Sequence, residues 1–177
     1  NEGNDDWWID DFSVSDDQSP GIDNDECDSA LELAGGANPF TTVGATNSDI
    51  DDSLNCSTTN GPDVFRDAWF SYTAFCTGPL DISTCGNADF DTRISVYLAS
   101  NGCPSSGSSP LACSDDDCGT GSSVSTVAFA GTTYLIRVGS PTDSSGSGIL
   151  TIECNGSAGP ENDECANAEE IFGGSTF

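Results

Sequence analysis

The sequence predicts an all-β protein, a disulfide-bonded antiparallel β-sandwich of jelly-roll type with extended N- and C-terminal segments. Three observations carry that prediction. Short runs rich in β-branched and aromatic residues sit between clusters of Gly, Ser, Asn and Asp. Within several runs the apolar residues alternate: Leu80/Ile82, Ile94/Val96/Leu98, Tyr134/Ile136/Val138 and Leu150/Ile152 each place their side chains on one strand face. No stretch sustains a helical period. Strands that are apolar on one face must pack as two facing sheets or close into a barrel, and a sandwich is the economical answer.

In chain order, residues 1–23 hold one apolar island, Trp7 to Val14, which reads as a single strand between acidic flanks. SDDQSPGID follows as a linker punctuated by Pro20-Gly21. ALELAGG, after Cys27, reads as one helical turn or a strand, ended by its glycines. Strands are then expected at 40–43, 67–75, 80–84, 93–98, 124–129, 133–138 and 149–153. The domain is placed at 24–157. Residues 158–177 are a linker and the opening of a second repeat, because NDECDSALELAGG (24–36) aligns without gaps on NDECANAEEIFGG (162–174). The repeat period is 138 residues, from Asn24 to Asn162. Residues 1–23 correspondingly read as the end of a preceding module, or as a strand donated to a neighbour. No signal-peptide pattern opens the sequence, so it is read as a mature chain or a fragment.

The ordered series DAWFSYTA (67–74), LDISTCGNADFDTRISVYL (80–98), LACSDDDC (111–118) and TTYLIRVGS (132–140) resembles the prepeptidase C-terminal (PPC-like) β-sandwich domain of secreted bacterial proteins, in its cysteine-rich form. The resemblance spans about Asn24 to Cys154. It implies a non-catalytic accessory module, often in tandem, in a family where several members bind calcium. Arg93 departs from the small or apolar residue expected after DFDT. WWIDDFSVS separately resembles the last strand of a bacterial lectin-like jelly roll, over about eight residues.

Charge narrows the function. Thirty Asp and Glu face three basic residues, all arginine, for a formal net charge of −27. Nucleic acid is excluded as a partner, since its binding needs cationic groups that displace phosphate counterions. Anionic lipid surfaces are disfavoured for the same reason. No apolar run approaches the length of a membrane span, so no membrane insertion is expected. Without histidine or lysine there is no Ser-His-Asp, Cys-His or Schiff-base chemistry. A glycosidase-like carboxylate pair is not informative among thirty acids. The chain is therefore read as no enzyme.

Nine cysteines without histidine point to disulfides rather than zinc, and so to an extracellular or cell-surface location. Eight fall within the domain. Cys76 and Cys154 both close strands and are paired on that ground. Cys103–Cys113 would close a Ser/Gly/Pro loop, Cys85–Cys118 would tie two acidic turns, and Cys27–Cys56 remains. Cys165 is the counterpart of Cys27 in the second repeat.

Clustered carboxylates point to calcium, which takes six to eight oxygen ligands. With Cys85 and Cys118 bridged, Asp89, Asp91, Asp115, Asp116 and Asp117 are expected within reach of one ion. The competing reading is ordinary turn chemistry, in which Asp bonds the nearby backbone. A second candidate is the hinge, Asp23, Asp25 and Glu26 near Asp51 and Asp52. Asn55 and Asn155 head glycan acceptor triplets, and the Ser-rich loops are candidates for O-linked sugar. Trp69 and Tyr72 are candidate sugar contacts, provided their rings face outward. The function expected is a structural or adhesive repeat module, calcium-stabilised, with head-to-tail assembly into a filament through its terminal strands. Its partner is another copy of itself or an adjacent repeat. The alternative is a carbohydrate-binding accessory module of a secreted multidomain enzyme.

Overall fold

The computed structural model describes residues 21–48, 50 and 63–158. The expectations for Trp7–Val14, Asn55, Cys56, Asp51, Asp52 and the second NDEC copy lie outside the described residues. Among those described, the chain forms β1 (Leu31–Glu32), β2 (Gly36–Thr41), β3 (Phe65–Thr73), β4 (Cys76–Ser83), β5 (Arg93–Leu98), β6 (Ala112–Asp115), β7 (Ser123–Ala128), β8 (Thr133–Ser140), β9 (Ser147–Cys154) and β10 (Ser157–Ala158). Among the described residues helix is limited to two 3-10 turns, Cys27–Ser29 and Ala99–Asn101. The fold is an all-β sandwich of two sheets.

The first sheet runs β1-β3-β8-β5-β6, and the second runs β10-β4-β9-β2 with β7 also paired to β4. All pairings are antiparallel except β1 on β3, which is parallel through Leu31↔Phe70 and Glu32↔Ser71. The alternating residues meet between the sheets. Phe70, Tyr72, Leu80, Ile82, Ile94, Val96, Tyr134, Ile136, Leu150 and Ile152 form one buried cluster, with Leu98 packed at its margin. Period-two patterning thus becomes a core whose burial drives the fold.

Three expectations change. First, the strand expected at 67–75 is β3 but ends at Thr73, and after a bend at Phe75 Cys76 opens β4 instead of closing β3. The Cys76–Cys154 bridge forms all the same, because β9 lies beside β4 with Cys154 opposite Leu80. Second, the acidic turn CSDDDC is half strand: Ala112–Asp115 is β6, with Arg93 and Asp115 directly opposed across β5 and β6. Third, Cys27 pairs with Cys103, which overturns both Cys27–Cys56 and Cys103–Cys113. The cause is the path of the NDEC segment. It lies on the outer face of the first sheet, where the 3-10 turn brings Cys27 against Trp69, Tyr97 and Leu135, next to the loop after β5. Cys113 lies opposite Ser95 in mid-strand and is disulfide-bonded as well, though not to Cys103.

That outer face also buries charge. Arg137 and Asp67 are fully buried and joined by a 3.0 Å Nε–Oδ2 ion pair. The Arg137 guanidinium also donates to the carbonyls of Ile50, Ser48 and Val64 and lies 5.6 Å from the centre of the Trp69 ring. β3 is consequently buried on both faces. Trp69 is 0% and Tyr72 1% exposed, so neither ring reaches the surface as a sugar contact. The NDEC segment and Ile50 cover the outer face, where a sugar contact by Trp69 would need an exposed ring.

Candidate functional site

The chemistry-bearing groups collect at one end of the sandwich, where β4, β5 and β6 begin or end. The Cys85–Cys118 disulfide joins the loop after β4 to the loop after β6. Beneath it, three buried hydroxyls hold the same loops. Thr84 Oγ1 and Thr92 Oγ1 are 2.6 Å apart, Ser122 donates its amide to Thr84 Oγ1, and the Ser122 hydroxyl bonds the Thr92 carbonyl. Gly121 is required there, because a Cβ would run into Cys118 Sγ and the Cys85 backbone.

On this frame Asp91, Asp115 and Asp116 each bring a carboxylate oxygen within 4.8 Å of the others. Asp91 comes from the loop before β5. Asp115 ends β6. Asp116 follows in the left-handed region, with φ of 62°, which Asp tolerates better than most residues. Arg93 is fully buried; its Nη2 bonds Asp115 Oδ2 at 2.8 Å, and its Nη1 bonds the Asp63 carbonyl at 2.6 Å. The residue that departed from the family pattern is therefore the cationic partner of the cluster. Burial raises the Asp91 pKa, and the neighbouring charges of Asp116 and Asp115 raise it further, against the pull of Arg93. Asp91 Oδ1 and Asp115 Oδ1 are buried with no hydrogen-bond partner.

The remaining predicted ligands lie elsewhere. Asp89 Oδ1 accepts the Ser147 amide at 2.7 Å, holding the start of β9, and Asp117 is exposed beyond the cluster. Asp25 accepts the Thr46 amide and hydroxyl, at 2.6 and 2.9 Å. Asp23 and Glu26 lie outside the cluster, at the NDEC end of the chain. Asn155 is exposed, with its side-chain amide donating to Asp81. Arg93 and Asp63 were missing from the sequence-derived site. Opposite charges in β5 and β6 were the available signal, but it becomes legible only once CSDDDC is recognised as a strand end.

Among the described residues, β2 pairs only with β9 and β7 only with β4, so each lies at a sheet edge. On β2, the Ile149 amide opposite Pro39 turns away to the Asn87 carbonyl, so Pro39 places its missing N–H on the outer edge. On β7, Val127 is exposed, with Phe129 just beyond it and Phe75 at the same end of β4. An open cleft lined by Asn24, Leu31, Pro39, Phe40, Thr41 and Phe70 lies between the β1 and β2 sides.

The model of a T9SS-associated family described as galactose binding domain-like matches residues 23–152. Among solved structures, the pre-peptidase C-terminal domain of a collagenase from Bacillus anthracis is similar at a TM-score of 0.44 and 12% identity, over 70% of this chain and 94% of that one. No curated protein matches the sequence significantly. The disulfides and the T9SS association suggest a secreted or surface protein. Among the described residues no helix is long and apolar enough to cross a membrane.

Proposed function

The chain belongs to this galactose binding domain-like family, and we propose that it acts as a non-catalytic structural or adhesive module outside the cell, one bead in a head-to-tail array of like sandwiches. The observation that supports this most is what the first NDEC copy does. Asn24 exchanges hydrogen bonds with the Trp69 backbone, its side-chain amide donating to the carbonyl and its own carbonyl accepting the amide. Leu31–Glu32 pairs with β3, and Cys27 is bonded to Cys103. The copy at 162–174 repeats the Asn, the Cys and the glycines. On this sandwich the β3 edge and Cys103 are already taken. The second copy is thus suited to an equivalent edge and cysteine on the next repeat of a longer chain, whereas in a second molecule of this chain both are held by that molecule's own first copy.

Assembly between molecules is the finer form of the proposal. An open strand edge accepts an added strand through main-chain hydrogen bonds. Pro39 blunts β2, so of the β2 and β7 edges the Val127 end of β7 is the better acceptor. A repeated contact of this kind is heterologous and builds an open filament. Light scattering across a concentration series, with and without calcium, tests it. Growth with concentration is the expected result, with fibres in electron micrographs, and a monodisperse monomer at high concentration in calcium would refute self-assembly.

A carbohydrate-binding accessory role is the second reading, favoured by the family's description. With Trp69 and Tyr72 buried, such a site would draw on other surface groups, and the exposed rings of Phe75 and Phe129 are candidates.

A further inference from the structure

We propose that Asp91, Asp115 and Asp116 form a calcium site that clamps the loops at the Cys85–Cys118 end of the sandwich. The proposal rests on the extracellular reading only for its supply of the ion. Acids in turns ordinarily spend their oxygens on nearby amides and hydroxyls, as Asp25 and Asp89 do. This cluster does otherwise. The Asp115 side chain is 2% exposed; its Oδ2 is taken by Arg93, while its Oδ1 is buried with no donor. Asp91 Oδ1 is in the same condition. A buried carboxylate oxygen without a partner is costly, and two of them beside a third carboxylate ask for a cation.

The charge and the donor set indicate which one. Among the described residues three carboxylates face one arginine, an excess of two negative charges that one divalent ion would neutralise. The ligands are hard oxygens, and the nearby sulfurs of Cys85 and Cys118 are locked in a disulfide, so soft metals find no thiolate. Ligands drawn from a loop and a strand end suit the flexible, high-coordination shell of calcium better than the strict octahedron of magnesium. Water and backbone carbonyls would fill the remaining positions. The disulfide and the Thr84–Thr92–Ser122 hydroxyls hold these loops in place before the ion arrives.

Calorimetric titration of the whole chain with calcium chloride, at about 0.15 M sodium chloride, tests the site. A saturable event is expected with Kd of about 10⁻⁴–10⁻³ M, the range of extracellular calcium modules. Asp116→Asn, at an exposed position, is expected to weaken it roughly tenfold or more, and Asp91→Asn likewise, because ligand charge sets the affinity. Asp117→Asn should leave it unchanged. Asp115→Asn is a poorer probe because it also breaks the Arg93 pair. Two results would overturn the assignment. Uptake that never saturates, or that falls equally in Asp117→Asn, would mean a diffuse counterion atmosphere. A saturable event that persists in Asp116→Asn and Asp91→Asn would put the ion elsewhere. The titration is done on dilute protein, so a failure to assemble into filaments leaves its outcome untouched.

Discussion

At the scale of single residues, the three arginines divide the electrostatics between them. Arg93 and Arg137 are fully buried and paired with Asp115 and Asp67. Arg66 forms an exposed pair with Asp143, the two side chains 44% and 57% exposed. Removing one member of a buried pair leaves a bare charge in the interior, which costs about 3–5 kcal/mol. An exposed pair contributes about 0–1 kcal/mol, since water screens it. Arg137→Ala is therefore expected to lower the denaturant midpoint strongly, and Arg66→Ala to change it little. Equal effects in the two variants would contradict the burial assignment. Composition shows three cations in an acidic chain; it does not show which of them lie inside. Their positions follow from strand pairing, which sets Arg93 opposite Asp115, and from the segment laid over β3.

Elements show how a short segment can govern a large face. Residues 24–33 contribute a 3-10 turn and a two-residue strand, yet they help bury Trp69 and complete the outer cluster with Tyr97 and Leu135. The Cys27–Cys103 bridge holds that segment down across a sequence separation of 76 residues. Replacing both cysteines by serine is expected to loosen the segment and wet Trp69, with a red shift of tryptophan emission while the far-ultraviolet β signal persists. An unshifted spectrum would show that strand pairing and packing suffice without the bridge. Loop closure makes such a bridge worth about 2–4 kcal/mol in typical cases. The strands of the core were legible from alternation because one face of each is apolar. β6 and β10 were not, and β1 only as one of two readings of ALELAGG: each is four residues or fewer, too short for a period to register.

For the whole molecule, a charge of −27 over 177 residues sets solubility, stability and association together. Self-repulsion is longest-ranged at low salt, where the Debye length is about 30 Å at 0.01 M against about 8 Å at 0.15 M. The thermal midpoint in chelator is thus expected to rise between those two conditions. A midpoint that does not move would mean that the charges are compensated locally. The same repulsion opposes contact between neighbouring beads, so any array of these modules must be held by directed bonds: strand pairing, a disulfide such as the one Cys27 makes, or a bridging cation.

The sequence by itself determined the class of fold, the approximate strands, the oxidised cysteines, the acidic surface and the duplication that begins at NDEC. These are properties of period, composition and self-similarity, each readable from neighbours along the chain. Tertiary structure alone decided that Cys27 meets Cys103, that Trp69 and Tyr72 are both buried on opposite faces of β3, that Arg93 neutralises Asp115, and that Asp91, Asp115 and Asp116 converge while Asp89 turns to Ser147. Each of those outcomes joins residues from separate strands or loops. It depends on which strand lies beside which and on what covers the outer face of a sheet, and a local pattern carries no record of either.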